Sequence, residues 1–432
     1  MGIILKKLCK SIKAVLSDSN GNEADINNGA LSTTTRFDDS PSIDAFARLR
    51  TSDPFTIFDS KQLHDKQPLF WDEAIGGSAT STHIPADANV LMTVTENSAD
   101  YVIRQTKQRF NYQPGKSQLF FMTTQAPHVT GLVNRIGCFD GTGTNNLTPN
   151  NGVFFECDTT VSWNICKNGT TTETVTQDNW NIDKLDGTGA SGITLNLDAA
   201  QILVFDWEWL GVGRVRVGFV INGLVHYCHY FNHSNDSNFP TVYMSTPNLP
   251  LRYSIETDGT VGGSLRHICS SVISEGGIEK TGILRVVDTD FTGVAGLSQD
   301  TTYPILGIKL KSAYNDVTVL PEFVSMINEA NDDFRWTLQL NPTLSASLTY
   351  ADVPNSAVQE AMGDGTITVT TEGLKVGGGY ASIDTLSANA QLETALKLGE
   401  TIAGVQDELV LCCTPLSNGA IIQASINFRE LL

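Results

Sequence analysis

The stretch "VFDWEWLG", residues 204–211, holds the most suggestive side-chain pairing in the chain. Asp206 and Glu208 stand two positions apart, so on an extended strand both carboxylates project from one face, while Phe205, Trp207 and Trp209 project from the other. Two carboxylates beside aromatic rings are the apparatus of glycoside chemistry, where acids flank the bond to be cut. The same four side chains, Asp206, Trp207, Glu208 and Trp209, also suit a carbohydrate or surface-binding strand, but the reading that comes first is a solvent-facing acid pair on a strand that is only structural. Downstream, Arg214 and Arg216 alternate with Val215, Val217, Phe219 and Ile221, which sends the guanidiniums to the face opposite the apolar one. In an acidic chain such a pair reads as a subunit interface meeting the carboxylates of a neighbouring copy, or as local charge balance.

Other constellations fail on geometry. His226 and His229 point to opposite faces of a strand, so they cannot converge with His233 on a metal without a bulge or bend. Asp183 and Asp186 in "DKLDGTGASG" lack the spacing of an EF-hand loop. "GGSAT" and "GTGAS" lack nucleophile-elbow spacing, and "GDGT" at 363–366 and "GGG" at 377–379 are turn chemistry outside any strand-to-helix context. No catalytic set, metal site or cofactor is therefore expected.

Side chains placed this way need a rigid strand pair beneath them, and the sequence supplies one. Asn222 and Gly223 offer the positive φ angles of a type I′ turn between two alternating runs. With that turn, Ile221 is expected to face Leu224, Val217 to face Cys228, and Val215 to face Tyr230. Around this hairpin, "FTIFDS", "NVLMTVTE", "YVIRQTKQRF", "SQLFFMTTQA", "NGVFFECD" and "VSWNICKNG" are short β-branched and aromatic runs bounded by turn residues. Even spacing of this kind predicts an all-β sandwich or jelly roll over residues 45–275. A Gly-rich break, "SVISEGGIEKTG", precedes a second β-rich domain at 276–432, in which "NAQLETALKL", residues 389–398, is the only helix-like piece.

Residues 1–44 read as an N-terminal arm. Its first part sets Leu5, Leu8, Ile12 and Val15 at helical spacing among Lys6, Lys7, Lys10 and Lys13, the pattern of a basic amphipathic helix that docks on a neighbouring subunit. Residues 18–45 are polar, lack periodicity and are expected to be extended. No uninterrupted apolar core precedes a small-residue cleavage site, and Lys6 stands where a myristoylation motif wants Ser or Thr.

Bulk composition narrows the partners. A net charge of −19 argues against nucleic acid, which demands clustered Lys and Arg. No apolar run approaches the roughly 20 residues that span a bilayer, and membrane contact is not expected. Eight cysteines form no CxxC pair and lie in apolar runs such as "VHYCHYF" and "LVLCCTP", so buried reduced thiols and folding in a reducing cytoplasm are expected.

Two resemblances add to this reading. "VFDWEWLG" is similar to the central strand of the laminarinase and lichenase type β-glucanases, a jelly-roll family whose motif runs Glu, aliphatic, Asp, apolar, Glu. The likeness matches Asp206 to the middle acid and Glu208 to the acid/base, but Val204 holds the place of the nucleophile that a retaining mechanism requires. More broadly, "AFARLRTSDPFTIFDSKQLHDKQPLFWDE" (45–73), "DGTGASGITLNLDAAQILVFDWEWLGVGRVRVGFVINGLVHYCHYFNH" (186–233), "YMSTPNLPLRYSIE" (243–256) and the terminal "DELVLCCTPLSNGAIIQASINFRELL" resemble a family of tailed-phage, especially marine, virion structural proteins. That resemblance implies a place on the exterior of the capsid or tail, synthesis in the host cytoplasm, other virion proteins as partners, and a homo-oligomer for which a trimer is one symmetry. The alternative it leaves open is a carbohydrate-binding module that recognises a host surface glycan; a glycan-degrading enzyme ranks behind both.

Overall fold

The computed structural model describes residues 26–27, 30–31, 42–277, 279, 281–330, 332–381, 387–391 and 397–431. The expected amphipathic helix lies outside these residues; of the arm, Ile26–Asn27 pairs with Ala30–Leu31 and residues from Ser42 onward are described. The structure is all-β, and among the described residues every strand pairing is antiparallel.

The first part is a jelly-roll-like sandwich of two sheets. One sheet runs in the order Thr170–Thr176, Val161–Lys167, Thr148–Cys157, Leu132–Thr142, Leu251–Thr257, Tyr101–Thr106 and Trp71–Gly76. The other runs Leu224–Phe231, Val215–Ile221, Gln201–Trp207, Gln118–Gln125, Gly263–Glu275, Asn89–Val94 and Thr80–Ile84, with Pro54–Lys61 also paired to Gly263–Glu275. Alternation along the strands sends Phe120, Phe155, Trp163, Phe205, Trp207 and Phe219 into a common core between them. Each such ring withdrawn from water contributes about 1.5–3 kcal/mol, and their tilted and edge-on contacts set how the sheets seat on one another.

The second part has its own core, including Ile305, Ile308, Val319, Trp336, Ile426 and Phe428. One sheet orders Ile283–Asp288, Ala420–Leu431, Thr318–Asn328 and Ser387–Gln391; the other orders Ala351–Asp352, Val358–Met362, Tyr303–Leu310, Leu409–Pro415, Phe334–Leu340 and Leu374–Ala381. The two parts are joined by polar contacts: Arg109 pairs with Asp140 at 2.9 Å and Glu400 at 3.2 Å, and the Ile402 amide donates to Asp72 at 2.7 Å.

Two expectations are corrected. The helix-like piece at 389–398 begins as strand, Ser387–Gln391, paired to Phe323–Ile327; residues 392–396 lie outside the described set. Pairing along a neighbouring strand outweighs the modest local preference of Ala, Leu and Glu for helix. In the central hairpin, Asn222 and Gly223 take φ of 53° and 80° and Ile221 does face Leu224, as the turn chemistry demands. Beyond Gly218 the register slips: Val217 faces His229 and Val215 faces Phe231, not Cys228 and Tyr230. A β-bulge at Cys228 is the cause. Its thiol points into the core, where it accepts from the Trp163 indole at 3.1 Å and donates to the Val217 carbonyl at 3.4 Å. Gly218 permits the close approach, since a Cβ there would lie 2.1 Å from the His226 carbonyl oxygen.

Candidate functional site

The bulge sets up what happens on the outer face. Without it Tyr227 and Tyr230 would point to opposite sides of the sheet; with it both lie on the arginine side, where they pack with Val204. Arg216 then sits over the Tyr227 ring at 4.4 Å and Arg214 over the Tyr230 ring at 5.0 Å.

Over this face runs the segment 42–50. Its shape is local: Asp44 accepts from the amides of Phe46 and Arg48, both at 2.8 Å, Ala47 takes a φ of 62°, and Ile43 pairs back with Leu49. The segment is strapped down at several points. Arg50 reaches Asp206 at 2.6 Å and Glu275 at 3.4 Å, and Arg48 reaches Glu208 at 2.6 Å. From below, Arg216 donates to the Ile43 carbonyl at 2.7 Å and Arg214 to the Ala45 carbonyl. At the centre is Asp206, which accepts from Arg216, Arg50, the Ser117 hydroxyl at 2.6 Å and the Tyr227 hydroxyl at 2.9 Å.

The two carboxylates titrate in opposite directions. Burial alone would push Asp206 up, but the guanidiniums of Arg216 and Arg50 and the Ser117 hydroxyl outweigh it and hold the carboxyl below its ordinary value. Glu208 has less help: burial pushes it up to about 7 against the pull of Arg48, and the nearby charges of Asp44 and Glu275 add to the rise. Burial also drives the Tyr227 hydroxyl well up, so it remains a donor.

The structure keeps the side chains singled out in this stretch on the faces expected from the sequence but buries them, fully or in part. Asp206 and Glu208 do share a face, but at 0% and 1% exposure they lie beneath the strap and not in solvent. Trp207 is core, tilted against Phe120 at 4.4 Å, and Trp209 is half-buried, edge-on to Tyr112 at 6.2 Å, so neither ring forms an open platform. Arg216, read as a subunit-interface residue or as local charge balance, is 0% exposed and paired with Asp206 of its own chain; Arg214 is half-buried and tied to Ala45 and Tyr230. The strap's backbone carbonyls at Ile43 and Ala45 accept from these guanidiniums, and Asp206 of the neighbouring strand holds Arg216. Val204, at the nucleophile's place in the glucanase pattern, is buried beside Tyr227 and Tyr230. Sequence reasoning missed Asp44, Arg48 and Arg50. Their signal was present in "IDAFARLR", where Asp and Arg four apart precede a second Arg, but nothing local said that the partners lie more than 150 residues away.

The remaining candidates are likewise occupied. His229 accepts from the Asn181 amide at 3.2 Å, and His233 stacks on Tyr243 and bonds the Gly213 carbonyl and Glu173. Asp183 accepts from the Leu185 and Ser191 amides, and Asp186 from Thr188. Among the described residues no group of three or more His, Cys, Asp or Glu gathers to hold a metal, the seven described cysteines are free thiols, and no helix is long and apolar enough to cross a membrane.

The sequence matches no family model and no curated protein. Solved structures with similar folds include a Bacillus licheniformis β-glucanase, 13% identical over 53% of this chain and all of that one, with a TM-score of 0.33. A legume lectin-like domain from Entamoeba histolytica is 10% identical over 50% of this chain and 96% of its own, TM-score 0.32. The carbohydrate recognition domain of Emp47p is 9% identical over 51% and 96%, TM-score 0.31. Similarity this low says nothing of chemistry, which rests on the geometry of the strap.

Proposed function

We propose that the chain is a structural subunit of a virus particle's exterior, a capsid decoration, spike or fibre-type component that assembles with copies of itself and with other virion proteins. The observation that carries this reading is the strap. Asp206, Glu208, Arg48, Arg50 and Arg216 are consumed in rooting residues 42–50 on the outer face of the sandwich, where the N-terminal arm meets the fold. Part of that segment belongs to the stretch that resembles tailed-phage virion proteins. The strand Ile283–Asp288 adds an exposed sheet edge carrying Ile283, Leu284 and Val286, the kind of edge that symmetric copies cover.

Purified particles run on a denaturing gel are expected to show a band near 46.7 kDa in many copies, and antibodies to the chain are expected to label intact particles. Absence from purified particles, with a monomer in sedimentation velocity, overturns the proposal. The chain in this reading is no hydrolase, because Val204 supplies no nucleophile and Glu208 is covered. Reducing-sugar release from a β-glucan, lost in Glu208→Gln, would replace the structural role with an enzymatic one. Recognition of a host surface glycan, the alternative role, has to use a surface other than the strand of Trp207 and Trp209.

A further inference from the structure

In the second part of the molecule, Phe291 is 96% exposed, the most solvent-accessible large apolar side chain among the described residues. It forgoes the roughly 1.5–3 kcal/mol that burying such a ring brings. The loop presenting it is held fast: Thr289 is buried and exchanges hydrogen bonds with Ala424 through its amide at 3.0 Å and its hydroxyl at 2.9 Å, and Gln423 donates to the Phe291 carbonyl at 2.6 Å. Beneath the ring lies a cavity of about 410 Å³, within the range of small-molecule sites. Its floor is the outer face of the sheet that holds Thr318–Asn328 and Ala420–Leu431, and its polar residues are Asp288, Thr289, Asp290, Gln423, Ser325 and Ser425, with Ile327 the other apolar side chain of size.

We propose that this cavity binds a neutral saccharide, with Phe291 stacking on the apolar face of a sugar ring and Asp288, the side-chain oxygen of Gln423 and the two serines meeting its hydroxyls. The assignment deepens the glycan-recognising alternative and is independent of the structural role. Three features select the ligand class. One aromatic ring over a polar floor matches a molecule with one apolar face and a rim of hydroxyls. Asp288 and Asp290 form no ion pair among the described residues; one Asp288 oxygen accepts from the Asp290 amide at 2.9 Å, and its other oxygen and the Asp290 carboxylate are left to accept from hydroxyl groups. The corner is also negative: burial, then the charges of Asp288 and Asp290, push up the carboxyl of Glu360 close by, and Glu329 sits on Gln423, so a sialylated or sulfated glycan is repelled. A second copy of the chain is a poorer occupant, since interface cores are depleted in Asp and Ser, which make up four of the nine lining residues.

The test uses the full chain on an array of neutral gluco-, galacto- and manno-oligosaccharides with sialylated counterparts, followed by titration calorimetry of the best neutral hit. At least one neutral oligosaccharide is expected to bind with a Kd at or below about 1 mM. Phe291→Ala is expected to weaken it at least about tenfold and Gln423→Ala by about fivefold, while Leu224→Ala, exposed at the far hairpin, leaves it unchanged. A blank neutral array, or binding that survives Phe291→Ala, overturns the proposal. So does a Phe291→Ala variant whose sole change is a smaller sedimenting species, which would give the patch to a second copy. Incorporation of Phe291→Ala into particles separates failure of this site from failure of the structural role.

Discussion

Two outer sheet faces of this molecule carry acids beside aromatic rings, and they have opposite fates. On the sandwich, Asp206 and Glu208 meet Arg216, Arg50 and Arg48, and the segment 42–50 closes over them. On the second part, Asp288 and Asp290 stand beside Phe291 with no ion pair among the described residues, and the face stays open. The acids alone did not decide the outcome. What decides it is whether guanidiniums arrive, because a buried carboxylate is tolerable only when paired, and the pairing removes it from any other work.

Breaking the closed face at its centre has the largest expected effect. Asp206→Ala leaves Arg216 buried without its partner, and we expect a loss of about 3–5 kcal/mol in urea unfolding. The double variant Asp206→Leu with Arg216→Met is expected to recover only part of it: apolar groups of similar volume can replace a buried pair, but Arg50, the Ser117 and Tyr227 hydroxyls and the Ile43 carbonyl still lose a partner. Full loss in the double variant would show that the pair does more than satisfy itself. Glu208 sharpens the same comparison through pH. Its folded carboxyl, at about 7, lies above its ordinary 4.5, so its contribution to stability is fully present below about pH 4.5 and is lost as pH rises through about 7. Asp206, depressed, behaves oppositely: its contribution is present above its ordinary 3.8 and is lost as pH falls below that value. Unfolding free energy followed from pH 4.5 to 8 is expected to decline by no more than about 3 kcal/mol, and Glu208→Gln to flatten the decline. A profile unchanged by Glu208→Gln would mean that another group titrates there.

The sequence made some of this architecture legible and hid the rest for physical reasons. Asn222–Gly223 and the flanking alternation announced the hairpin because turn chemistry is local. The bulge at Cys228 was invisible, since one added residue leaves the apolar pattern intact while moving Tyr230 to the face of Asp206. The same-face placement of Asp206 and Glu208 followed from strand geometry; their burial did not, because it depends on Arg48 and Arg50, brought in by the chain's path and not by spacing. Phe291 drew no notice in "VDTDFTGV", where an exposed ring and a buried one look alike.

Loosening the strap from above should cost less than emptying its centre. Arg50 is largely buried and double-paired, and Arg50→Ala is expected to cost about 1–3 kcal/mol and to speed proteolytic cleavage around residues 42–50. Arg48 is half-exposed, and screening by water limits Arg48→Ala to under about 1 kcal/mol. Equal effects from the two would mean that backbone contacts, not ion pairs, hold the segment.

The smallest expected effect belongs to the open face. Phe291→Ala removes a ring that solvent already surrounds, so its stability is expected to stay within about 0.5 kcal/mol of the parent chain in the same urea titration. Near-neutrality here set against a large loss at Asp206 is what distinguishes a side chain kept for binding from one kept for the fold. A drop of about 2 kcal/mol or more would place Phe291 among the groups that hold the second part together, and the contrast between the two faces would vanish.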